Sequence, residues 1–197
     1  VPRTSRETYH HGDLAAALST SARALVRHHG GGGFSLRAAA KEAGVDPAAV
    51  YRHYKDKQAL LERVCVDGFI ELANEMEDAY ASKRRPHLRF MAVGEAYVRF
   101  AVREPELFRL MLGPQRTDVA TVASATAGGR SPYQILVGAL EELREAEQCA
   151  LPIRRSALTA WSAVHGLAYL AIDSRVDDLD VALRDVTQTV LRGLERR

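Results

Sequence analysis

The residues that could do chemistry in this chain favour binding over bond-making. No serine, histidine and carboxylate are arranged as a nucleophile with its base, and no paired carboxylates share a helical stretch, so an enzyme is not expected. His10-His11 and His28-His29 have no cysteine or acidic partner at ligand spacing, which predicts no metal, and no other motif calls for a cofactor. Gly30 to Gly33 follow no strand and precede no Lys-Ser/Thr pair, so they read as a flexible linker rather than a phosphate loop. The distinctive segment is Ala48-Ala49-Val50-Tyr51-Arg52-His53-Tyr54, two small side chains followed by aromatic and basic ones. Its surroundings suit a polyanion. Residues 1–60 carry nine Lys/Arg against five Asp/Glu, while the remainder carries 18 against 20.

The elements that must position this segment are helices. Leu14, Leu18, Ala22 and Leu25 mark one face of a first helix over 13–29. Ser35 caps a short second helix reaching Ala43, and Gly44 occupies the position of a helix C-terminal glycine. Asp46 caps again, with Pro47 at the first helical position, and this third helix runs to about Tyr54. Two short helices joined by Gly44-Val45-Asp46 make a helix-turn-helix. The second of them presents Ala48, Ala49, Tyr51, Arg52 and His53 from a narrow N-terminal end that fits a major groove about 12 Å wide. Asp56 caps a long fourth helix to about Ser82. Beyond it, helices are expected from Pro86 to Arg103, from Pro105 to near Gly113, from Pro132 to about Gln148, from Pro152 to about Ser174, and from Asp177 or Asp178 to the end. Residues 113–130, rich in Thr, Ala, Ser and Gly, read as a loop.

The run from Phe34 to Val45 (FSLRAAAKEAGV), continued by Asp46 to Leu61 (DPAAVYRHYKDKQALL), resembles the tetracycline-repressor (TetR) family of bacterial transcription regulators. Tyr9-His-His-Gly-Asp-Leu14 is similar to the opening of that family's first helix. The resemblance implies a DNA-binding head in which Tyr51, His53 and Lys57 touch the backbone or base edges. Ser35 and Arg37 would contact phosphate, and Ala48 and Ala49 would meet bases through methyl groups. Tyr54 is divided between a core role and a phosphate contact. Arg3 and Arg6 precede the first helix and suit an arm reaching DNA.

Trp161-x-x-x-His165-Gly166 and Glu104 to Met111 (EPELFRLM) resemble a subgroup of these regulators. Trp161, His165 and Tyr169 share a helix face, readable equally as core or as the wall of a ligand cavity. Phe69, Tyr97, Phe100, Phe108 and Met111 are further candidates for that wall. The last two helices are more apolar than one inner face requires, so Leu167, Leu170, Val186, Val190 and Leu194 are expected in a homodimer interface.

The expectation is therefore an all-α chain of about nine helices. A three-helix DNA-binding head (1–60) is joined by a long helix to a helical bundle (61–197) for ligand sensing and dimerisation. It would bind double-stranded DNA at a palindromic operator and respond to a small-molecule effector, most simply as a repressor. The alternative is a ligand-independent DNA-binding or architectural protein with the same head. No apolar run nears the roughly 18 residues of a membrane span, and the polar N-terminus lacks a signal-peptide pattern, so a cytoplasmic protein is expected. Cys65 and Cys149 lie far apart in apolar helical patterns and read as core residues.

Overall fold

The computed structural model describes residues 11–33, 35–113 and 119–195, with the side chains of 11–13 and 119–120 left out. Arg3, Arg6, Tyr9, His10 and Phe34 lie outside the described residues. Ten helices and no strand are found among the described residues. They are α1 (His11–His29), α2 (Leu36–Glu42), α3 (Pro47–Val50), α4 (Lys57–Ala81), α5 (Pro86–Arg103), α6 (Pro105–Met111), α7 (Val119–Ala125), α8 (Pro132–Glu145), α9 (Ile153–Ile172) and α10 (Leu179–Leu194).

Local chemistry explains most of the boundaries. The side chains of Ser35, Asp46, Asp56 and Asp178 accept hydrogen bonds from backbone N–H groups of the helices they precede, which satisfies donors that would otherwise be orphaned. Ser131 and Gln134 form a reciprocal capping box at α8. α2 ends in a Schellman turn: Val45 N–H donates to Ala40 O (2.9 Å), Gly44 N–H donates to Lys41 O (3.1 Å), and Gly44 has φ of +68°.

Three segments differ from the sequence expectation. The stretch expected as a loop, 113–130, contains α7. Val122 is buried there, and tertiary packing against α4 holds a helix that its Thr- and Ser-rich sequence does not advertise. α3 ends as an α-helix at Val50. The chain then tightens through Arg52 N–H to Ala49 O and His53 N–H to Val50 O, the shorter-range bonds common at a helix end. Gly30 to Gly33 is a hydrogen-bonded turn rather than a linker. Gly30 has φ of +64°, and Gly31 lies so close to Leu110 that an added Cβ would stand 2.6 Å from its Cδ1.

The helices bury one large apolar cluster. It runs from Leu18, Ala22 and Val26 of α1 through Val50 and Tyr54 beside α3 and Leu60 to Met76 of α4, to Phe100, Phe108, Leu167 and Leu183. α5 is central and packs on α4, α8, α9 and α10. A second cluster, with Leu140, Leu143, Ala157 and Leu194, closes the far end. Cys65 and Cys149 are buried, as expected of core residues.

Candidate nucleic-acid interface and cavity

The helix-turn-helix is held from behind and open in front. Val50 is fully buried. Tyr54 is turned inward, and its hydroxyl donates to Ala15 O of α1 at 3.1 Å. Of its two expected roles it takes the core one: its hydroxyl is engaged inside the head, so it is not placed as a DNA contact. On the open side Ala48, Arg52 and Tyr51 face solvent, Tyr51 with 56% of its surface exposed. Ala49 and His53 are half-buried, and Arg37 is exposed on α2. Ser35 Oγ accepts from Ala38 N–H at 3.2 Å, so it organises the start of α2. Lys57, the first residue of α4, donates from Nζ to Gly32 O at 2.9 Å and ties that helix start to the glycine turn. The structure thus brings together Arg37, Ala48, Tyr51, Arg52, His53 and Lys57 around α2, α3 and the start of α4.

An ion cluster fastens this head to the rest of the chain. Glu104, at the junction of α5 and α6, is only 3% exposed. Arg27 donates to it from Nε at 2.8 Å and again from Nη2, and Arg23 donates from Nη2 at 3.1 Å. Arg23 also pairs with Glu71 of α4, and Arg103 reaches Glu71 and Glu75. Burial by itself would raise the Glu104 pKa, yet the two guanidiniums hold it below the usual carboxylate value. This residue was not singled out from sequence as more than part of a motif; an acidic side chain before a proline, at the junction of two apolar helices, was the available signal.

Between α4, α5, α8, α9 and α10 lies a cavity of about 200 Å³. Phe69, Leu72 and Met76 of α4 form one wall, and Phe90, Val93 and Tyr97 of α5 another. Leu136, Trp161 and Val164 close it, with Leu112 and Val122 at one side. Of the expected wall residues, Phe69, Tyr97 and Trp161 are in place. Phe100 and Phe108 are corrected to core residues, fully buried away from the cavity, and Met111 packs beside Gly68 instead. His165 and Tyr169 do not line the cavity. They form an aromatic group with Phe108, their ring centroids 6.0 Å and 5.8 Å from its own. His165 still acts on the wall, because its Nδ1 lies 2.9 Å from the Tyr97 hydroxyl. Trp161 Nε1 donates to that same hydroxyl at 3.3 Å, so two side chains of α9 hold Tyr97 in place. Burial lowers the His165 pKa and raises that of Tyr97, so both stay neutral. Sequence reasoning missed Tyr133, Leu136 and Val164; an aromatic in the first turn of the amphipathic α8 was the one legible sign.

The residues expected at a dimer interface divide. Leu167 and Leu194 are buried within the protomer, Val186 packs on its core, and Val190 lines the cavity. Only Leu170 is exposed, and it is joined on the outer surface of α9 and α10 by Leu158 and Val181. The correction is rotational: α9 and α10 turn those other positions inward onto α5 and α8.

Among the described residues no helix is long and apolar enough to cross a membrane, and no group of three or more His, Cys, Asp or Glu could hold a metal ion. A helix-turn-helix head on an all-helical body with an apolar cavity is the architecture of a one-component transcription regulator. Two family models match. One describes bacterial regulatory proteins of the tetR family and covers residues 14–64; the other, a tetracyclin repressor-like C-terminal domain, covers 90–194. The chain belongs to the TetR family, whose members are DNA-binding transcription regulators. Among solved structures, a protein of unknown function from Rhodococcus sp. RHA1 is 32% identical, with a TM-score of 0.83 over 97% of this chain and 100% of that one. A regulatory protein of the tetR family from Rhodococcus RHA1 is 20% identical (TM-score 0.72; 98% and 100% covered), and shares the fold. So does the transcriptional regulator FadR from Bacillus subtilis, in complex with stearoyl-CoA, at 16% identity (TM-score 0.70; 91% and 99% covered). The comparison with curated proteins finds no match.

Proposed function

We propose that the chain is a homodimeric repressor that leaves a palindromic operator when a small apolar molecule fills the cavity. Residues 1–60 serve as the DNA-binding unit and 61–197 as the sensing and dimerising unit. The observation that carries this reading is the position of α4, whose first residue, Lys57, stands at the glycine turn of the head while Phe69, Leu72 and Met76 wall the cavity. A molecule pressing on that wall moves the helix that enters the head. The B. subtilis relative holds an acyl-CoA, which supports a small-molecule effector here. In a dimer the exposed Leu158, Leu170 and Val181 meet their counterparts, and two recognition helices face successive major grooves about 34 Å apart. A preference of about 2–3 kcal/mol for the misaligned state changes operator affinity about 30- to 150-fold.

The test is selection of bound duplexes by the purified protein, followed by titration of the selected palindrome and of a single half-site. The palindrome binds far more tightly in the dimeric reading. Equal affinity for the half-site rules that reading out. Unchanged operator affinity with the cavity demonstrably occupied leaves the ligand-independent DNA-binding alternative.

A further inference from the structure

We propose that the effector of this cavity is an uncharged, ring-bearing molecule, largely hydrocarbon, whose single polar end stays at a mouth formed by Tyr133 and Trp161. The proposal rests on the cavity being the effector site and specifies the chemistry that the site accepts.

Three observations carry it. First, no Lys, Arg, His, Asp or Glu lines the cavity among the described residues. An ion entering it would lose its water and gain no counter-charge from these walls, which is among the most unfavourable transfers in protein chemistry. Second, most polar atoms deep in the walls are already engaged. The Thr187 hydroxyl donates to Leu183 O at 2.7 Å, the Trp161 N–H donates to Tyr97, and the Tyr97 hydroxyl is shared with His165. Ser131 Oγ accepts from the Gln134 amide at 3.3 Å, where it caps α8. Among the described lining residues a ligand carboxylate would find hydroxyl donors, such as those of Ser131 and Tyr133, but no cation. Third, the walls present Phe69, Phe90 and Tyr97, and the cavity's about 200 Å³ exceeds the about 150 Å³ at which an apolar protein cavity stays dry and accepts benzene.

The mouth follows from exposure. Tyr133 and Trp161 are the lining residues most open to solvent, at 44% and 40%, and their ring centroids stand 5.9 Å apart. A polar end left between them keeps its hydration while the ring enters.

The chain has a single tryptophan, so emission from Trp161 reports occupancy directly. Three probes share one skeleton: 3-phenylpropan-1-ol, 3-phenylpropanoate and 3-phenylpropylammonium, titrated at neutral pH with excitation confined to the indole and checked by calorimetry. The alcohol is expected to bind at least about 30-fold more tightly than either ion. Ala160→Phe, which fills the wall beside Trp161, is expected to abolish the heat of alcohol binding while helix content by circular dichroism stays at the wild-type value. A carboxylate or ammonium binding as well as the alcohol overturns the proposal. So does the absence of binding by all three at millimolar concentration, or full affinity in a folded Ala160→Phe protein. Adding operator duplex to the same titration separates the two readings. If the alcohol binds with equal affinity with and without DNA, the site chemistry stands and the sensor function does not.

Discussion

Replacing Glu104 with alanine removes the carboxylate that α1 grips. Truncating one member of a buried ion pair costs about 3–5 kcal/mol, chiefly because the partner charge is left unpaired. Two features reduce that figure here. The side chain of Arg27 is half exposed and regains water, and Arg23 keeps its bond to Glu71. The expected loss is therefore about 2–3 kcal/mol. In a chain of this length that lowers the melting temperature by about 4–12 °C. Glu104→Gln keeps the shape and an acceptor oxygen, so it should lose about half as much. The assay is urea unfolding followed by helix circular dichroism, repeated from pH 7 downward. Because the folded-state pKa of Glu104 is held low, its contribution is fully present above the ordinary glutamate value of about 4.3 and disappears as pH falls through the lower folded value. The gap between wild type and Glu104→Gln should thus be flat from pH 7 to about 5 and shrink only below about 4.3. An alanine effect under about 0.5 kcal/mol, the size of an exposed surface pair, would refute the reasoning.

Lys57→Ala should weaken binding to every duplex alike and reduce the slope of log affinity against log salt by about one; an unchanged slope removes Lys57 from the phosphate contacts. Gly44→Ala places a side chain at φ of +68° with open space around it, so backbone strain alone should cost about 1–2 kcal/mol, read as a lower melting temperature. Leu158→Glu combined with Leu170→Glu should give a folded monomer in sedimentation; a persistent dimer would place the interface on another surface.

The sequence was most legible where the cause was local. Ser35, Asp46, Asp56 and Asp178 announce helix starts through short-range hydrogen bonds, and Pro47, Pro86, Pro105 and Pro132 do so through a fixed φ. It was least legible where rotation about a helix axis decides. Trp161, His165 and Tyr169 recur every four residues and do share a side of α9, yet only Trp161 reaches the cavity, because Phe108 of α6 occupies the space in front of the other two. Leu167 and Leu170 are three positions apart, and packing on α5 buries one and leaves the other in solvent. α7 escaped notice because its only strong signal is a single buried valine, and its helix depends on contact with α4.

The apolar cluster does not stop where α4 enters the head. From Leu18 to Leu183 it is unbroken, with Val50 behind the recognition helix and Met76 at the cavity wall belonging to the same body. With one core shared between the head and the cavity wall, the two are expected to unfold together, in a single calorimetric transition. A molecule held in the cavity at 100 times its dissociation constant adds about 2.7 kcal/mol to the stability of the whole unit. Occupancy therefore protects the amides of α2 and α3 from global-unfolding hydrogen exchange by the same factor as those of α5. A thermal-shift screen without DNA would register molecules that enter the cavity, even those that never touch the head.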